Sequence, residues 1–183
     1  MKKRVYVDTS YILSFIFKDI EYEDTLSLFS SFKSEGSNFE FVLLQPSLGE
    51  AITIISKKYG QNKDSSIFYN RMQRLADMII KYKINAENCM TPPPKCVFKL
   101  AHSIESEDKR QSYNEYGYLD RTDLLLIASV IGDPNSKFFF SKDHKLLESL
   151  ILPKYCKSGF EICDGVKRNT TLYIKNGIDW LYE

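Results

Sequence analysis

A chain of 183 residues, 43% hydrophobic and 27% charged, is long enough for one domain that buries about 70% of its unfolded surface, and too ordinary in composition to be disordered or fibrous. Its 25 Lys and Arg stand against 24 Asp and Glu, a net charge of +1 that excludes a protein coating nucleic acid through overall basicity. No apolar run approaches the ~20 residues of a membrane span, and the one after Lys2-Lys3-Arg4 is too short for a secretory signal, so a cytoplasmic protein with no membrane partner is expected.

Cys89, Cys96, Cys156 and Cys163 are read as free thiols, because their spacing matches no common zinc site and a cytoplasmic chain keeps thiols reduced. The chain opens on Val5-Tyr6-Val7, three β-favouring residues that predict a short buried strand. Asp8 follows at once, with the hydroxyls of Thr9 and Ser10 behind it and the apolar start of a helix over Tyr11–Lys18. Asp8 is therefore either a helix cap or a site residue at the carboxyl end of a strand. A second helix is predicted over Glu21–Lys33, then a turn at Glu35-Gly36-Ser37-Asn38.

Phe39–Leu44 reads as a strand apolar on both faces, and Gln45-Pro46-Ser47 opens a helix with its proline suited to the first turn. Leu48, Ile52, Ile55 and Tyr59 form the buried stripe of that helix, with Glu50 almost opposite. Ser47 and Glu50 also fit a capping box, which is the competing explanation for the acid. Beyond it, a helix is expected over Ile67–Tyr82 and a shorter one from Cys96 to about Ser106, with His102 packed on its apolar side. The charged, Tyr-rich stretch Glu105–Tyr118 reads as a surface loop or a solvated helix end, a place where recognition is often carried.

Leu119-Asp120-Arg121-Thr122-Asp123 leads into the apolar run Leu124–Ile131, read as a buried helix stopped by Gly132-Asp133-Pro134. Lys137–Ser141 is a strand, Asp143 lies just beyond its end, and His144–Ile151 is expected to continue as a helix that Asp143 could cap. A last strand is expected at Phe160–Cys163, before a tail containing Trp180.

Strands alternating with helices imply an α/β domain with a mostly parallel sheet and right-handed crossovers. In such a sheet all strand ends lie along one edge, together with the starts of the helices that follow them. Asp8 and Asp143 belong to strand ends; Glu50 and Asp123 belong to first helical turns at the same edge. The four can converge in one crevice, with Asp120 as a fifth acid and Thr9, Ser10 and Ser141 as supporting hydroxyls. Crowded carboxylates share protons or recruit a cation, and oxygen-only ligands suit Mg²⁺ or Mn²⁺.

The chain resembles PIN-domain ribonucleases, among them the toxins of bacterial and archaeal toxin–antitoxin pairs. The similarity lies in Val5-Tyr6-Val7-Asp8-Thr9-Ser10, in Glu50 after the second strand, in Asp123 followed by Leu124–Ala128, and in Phe139-Phe140-Ser141-Lys142-Asp143. It covers residues 1–60 and 119 to about 164. The resemblance implies a three-layer α/β/α domain over 1–183, with a variable helical insertion at about 61–118. It implies metal-dependent hydrolysis of RNA, with Asp8, Glu50, Asp123 and Asp143 both catalytic and metal-binding. It further implies RNA as partner, and an antitoxin or a second copy of the chain as protein partners. The alternative is a non-catalytic PIN-like scaffold in RNA processing. An aspartate-nucleophile phosphatase is disfavoured because Ser10 stands where a second Asp is needed, and a dinucleotide binder because no glycine-rich turn follows the first strand.

Overall fold

The computed structural model describes residues 2–32, 38–61, 65–87, 94–110 and 117–166. The turn at Glu35-Gly36-Ser37, Cys89, Pro92 and Pro93, residues 111–116 of the Tyr-rich stretch and the tail with Trp180 lie outside the described residues.

The chain begins with β1 (Lys3–Val7), α1 (Thr9–Phe17), α2 (Tyr22–Phe32) and β2 (Phe39–Leu44). It continues through α3 (Gln45–Tyr59), α4 (Ser65–Tyr82), β3 (Asn85–Glu87), α5 (Pro94–Asp108) and α6 (Arg121–Gly132). It ends with β4 (Ser136–Phe140), α7 (His144–Leu147), α8 (Leu152–Tyr155) and β5 (Glu161–Cys163). All pairings are parallel and the strand order is β3-β2-β1-β4-β5.

The pleat explains the layers. Val5, Val7, Phe41, Leu43, Phe138 and Phe140 point to one face and pack with α1 to α4. Tyr6, Val42, Leu44 and Phe139 point to the other and pack with α5 to α8. Both faces are covered, so the central strands are apolar at consecutive positions, and the result is a three-layer α/β/α domain. Aromatic rings fill much of the first layer: Phe32 meets Phe39, Phe41 and Phe140 at ring-centroid distances of 5.2, 5.6 and 5.7 Å.

At the amino end of the sheet Arg4 ties three segments together. Its guanidinium donates to Glu40 at 2.8 Å, to Glu87 at 2.8 Å and to Asp133 at 3.3 Å. Asp133 also accepts from the buried Tyr6 hydroxyl at 2.7 Å. This charged anchor joins the start of β1 to β2, to the end of β3 and to the turn before β4.

Several expectations change in the structure. β3 carries no apolar signal of its own, and exists through its pairing with β2 from Val42 to Leu44. His102 is exposed on α5 and bonds Ser106 at 3.2 Å, so it is not a packed core histidine. The helix expected over His144–Ile151 is instead two short ones. The Ser149 hydroxyl accepts the amides of Ile151 and Leu152 at 3.3 Å each and so starts a new turn, with Pro153 in its first positions. Among the described residues Cys96, Cys156 and Cys163 are free thiols. No helix among the described residues is long and apolar enough to cross a membrane.

Candidate functional site

After β3 the chain returns to the other side of β1 to form β4, so the crossovers on the two sides of β1 lie on opposite faces of the sheet. Such a switch point opens a crevice at the carboxyl ends of the two central strands, where open α/β sheets place their ligands. Asp8 stands there: its amide donates to Phe140 at 2.9 Å, so β1 and β4 remain bonded up to the acid.

Each carboxylate at this edge is held by named donors. Asp8 accepts the Thr9 amide at 2.7 Å on Oδ1, and the Ser141 and Ser10 hydroxyls at 2.8 and 3.2 Å on Oδ2. An ordinary cap reaches the second or third helical amide, whereas Asp8 reaches only the first. Ser141 is itself fixed, fully buried and accepting the Asp143 amide at 3.0 Å. Ser10 accepts the Lys142 amide at 3.3 Å.

Glu50 shows which explanation fits it. The first helical residue of α3 is Gln45, so Ser47 falls inside the helix, and its buried hydroxyl makes no hydrogen bond; the capping box is not formed. Glu50 instead accepts the hydroxyl of Thr9 at 2.6 Å, and Thr9 neighbours Asp8 in the chain. Because α3 begins at Gln45, Glu50 lies in its second turn and not in the first as expected, and this bond ties that turn to the start of α1.

Asp143 caps α7 through the Lys145 amide at 2.8 Å, and Asp120 caps α6 through the Asp123 amide at 2.9 Å. Capping and site membership coexist here, because each cap bond occupies one carboxylate oxygen. Asp123 makes the convergence explicit. Burial, followed by the charges of Asp120, Asp143 and Asp8, pushes its carboxyl up to about 7. Burial likewise raises Asp8, against the pull of its hydroxyl and amide donors, and the charge of Glu50 adds to the rise. Asp123 thus feels Asp120, Asp143 and Asp8, and Asp8 in turn feels Glu50.

Among the described residues no three carboxylate, imidazole or thiolate groups already stand together as a metal-binding group. The carboxylates are turned onto hydroxyls and amides, Glu50 onto Thr9 among them. The donor set, carboxylate and hydroxyl oxygen only, fits Mg²⁺ or Mn²⁺ and not a thiolate-seeking ion.

The structure adds residues that the sequence reading passed over. Asp164 follows β5 as Asp8 follows β1, the same strand-then-acid signal; it accepts the Tyr11 hydroxyl at 2.7 Å and the Val166 amide at 3.0 Å. Lys142, next to the site, is ion-paired with Glu21, and its ammonium lies 4.8 Å from the Tyr11 ring centroid. A cavity of about 350 Å³ between α7, α8 and β5 is lined by Leu146, Leu152, Cys156, Lys157, Phe160 and Ile162 and includes none of the five acids.

No protein-family model, curated protein or solved structure matches the chain.

Proposed function

We propose that the chain is a PIN-like, divalent-metal-dependent endoribonuclease. The observation that carries this reading is the placement of Asp8, Glu50, Asp123 and Asp143 along the carboxyl edge, where burial and then the charges of Asp120, Asp143 and Asp8 push Asp123 up to about 7. The four carboxylates would hold Mg²⁺ or Mn²⁺, which when bound supplies an activated water and neutralises charge on the phosphodiester. Ser141 and Ser10 orient Asp8, Thr9 orients Glu50, and Asp120 fixes the backbone of Asp123 while adding negative charge.

The same reading includes a cytoplasmic toxin paired with an antitoxin, or a homodimer. Its counterpart is a PIN-like scaffold that binds RNA without cutting it. Incubation with structured RNA separates the two. Cleavage should require Mg²⁺ or Mn²⁺, stop in EDTA, and be lost in Asp8→Asn. In EDTA that variant should melt at or above the wild-type temperature, because it removes one of the crowded charges while keeping the shape. It should also gain less from added Mn²⁺. Cleavage that survives EDTA sinks the metal mechanism. Full activity in Asp8→Asn, with an unchanged Mn²⁺ response, removes Asp8 from the site.

A further inference from the structure

Lys142 stands in the chain between Ser141, which holds Asp8, and Asp143, and its contacts fix where it goes. Its amide donates to the Ser10 hydroxyl at 3.3 Å, and that hydroxyl donates to Asp8 at 3.2 Å, so the lysine is one side chain removed from the first acid. Its ammonium lies 4.8 Å from the ring centroid of Tyr11, a fully buried residue whose own amide donates to the Asp8 carbonyl at 3.2 Å. The ammonium is also ion-paired with Glu21, the residue before α2. The side chain therefore lies back over the turn that Asp8 begins, and only 17% of it is exposed.

Stability does not explain the ion pair, because the backbone of each partner is fastened without it. The Glu21 amide donates to Asp19 at 3.0 Å, Asp19 accepts the Ser14 hydroxyl at 2.6 Å, and the Glu21 carbonyl accepts the Thr25 amide at 2.9 Å. Lys142 is held through Ser10, and the Ser141 amide before it donates to Cys163 at 3.2 Å. The Glu21 side chain is 43% exposed, and a pair this open to water contributes little to folding. Exchanging the Glu21 carboxylate for another anion therefore costs little. Leaving the half-buried ammonium with no anion costs more, since part of its hydration is already lost.

We propose that Lys142 binds the RNA phosphate next to the scissile one, and that Glu21 occupies the ammonium until RNA displaces it. This rests on the ribonuclease reading of the crevice. Carboxylates gathered at one edge repel a polyanion, and a cation fixed beside them gives the strand a phosphate contact that a metal on the acids does not supply. An ammonium carries three N–H donors and acts as a point charge, so it bonds a phosphate oxygen from several directions. The Glu21 carboxylate stands where that phosphate goes, and it lowers RNA affinity by competing for the same ammonium.

The test compares Lys142→Gln, Lys142→Arg and Glu21→Gln on one labelled single-stranded RNA oligonucleotide. Initial cleavage rates are measured with Mn²⁺, and fluorescence anisotropy over a series of KCl concentrations in EDTA. Lys142→Gln should raise KM about tenfold with kcat nearly unchanged, the signature of a charged contact made equally in the bound and transition states. Its slope of log affinity against log salt should be shallower by about 0.7, the share of one phosphate. Lys142→Arg should keep both near wild type. Glu21→Gln should move the other way, with KM lowered by up to about fivefold, because the competing carboxylate is gone. A strut between the end of β4 and α2 cannot give that opposite sign. Equal losses in Lys142→Gln and Glu21→Gln, or no change in either, overturn the proposal, as does a wild type that does not bind the oligonucleotide. A smaller rise in melting temperature with Mn²⁺ in Lys142→Gln than in wild type also overturns it, since the lysine then only positions Asp143. The expected slopes in a wild type that cleaves nothing with Mn²⁺ remove the nuclease and leave the phosphate contact standing.

Discussion

A carboxyl that titrates near 7 is costly to ionise, and Asp123 carries that cost in the folded chain. The sign follows from proton counting. Below about pH 4 the acid is protonated in both the folded and unfolded states, and it contributes nothing. Between about 4 and 7 the unfolded chain has lost the proton and the folded chain keeps it, so stability falls as pH rises through this window, then levels off. In EDTA, Asp123→Asn should therefore match wild type near pH 4 and exceed it at pH 8, seen as a higher melting temperature at the upper end only. Equal pH profiles would mean that Asp123 does not feel Asp120, Asp143 and Asp8 as the geometry requires.

Between elements, the contact that matters most is the hydroxyl of Thr9 on α1 bonded to Glu50 on α3. Thr9 is buried, while Glu50 is exposed and owes its orientation to this bond. Thr9→Val keeps the shape and removes the donor. Glu50 can return to water, so the cost should be only about 1 kcal/mol, a fall of about 2–4 °C in melting temperature. The functional effect should be larger than the structural one: more Mn²⁺ for the same thermal stabilisation, and Thr9→Ser restoring the wild-type response. A wild-type Mn²⁺ response in Thr9→Val would show that Glu50 does not act with Asp8.

For the molecule as a whole, residues 65–108 decide whether there is a domain at all. α4 places Leu75, Met78 and Tyr82 in the core on one face of the sheet, and α5 places Val97, Ala101 and Ile104 in the core on the other. The burial of the five larger side chains is worth about 10 kcal/mol, comparable to the entire stability of an ordinary domain. β3, between the two helices, covers the outer edge of β2. Replacing 65–108 with a short Gly/Ser linker should thus abolish the cooperative thermal transition rather than yield a smaller domain. A trimmed chain that still melts cooperatively would show that this stretch is dispensable to the fold. α4 also ties itself to the end of α1, where Arg71 and Arg74 both donate to the carbonyl of Ile16.

Some of this was legible from residues alone. Strands β1, β2 and β4 announce themselves because both of their faces are covered, which makes consecutive positions apolar. With helices between them, the parallel sheet and its shared carboxyl edge follow, and so do the places of Asp8, Glu50, Asp123 and Asp143. β3 was not legible, because Asn85-Ala86-Glu87 is mostly exposed and becomes a strand only through β2. Nor could local pattern decide between the capping box and the Thr9 bond for Glu50, or reveal that Arg71 and Arg74 of α4 meet the end of α1 at the Ile16 carbonyl. A residue pattern records how deeply each position is buried and what backbone it favours. Which side chains approach across 41 residues, as Thr9 and Glu50 do, is set by how the helices pack on the sheet.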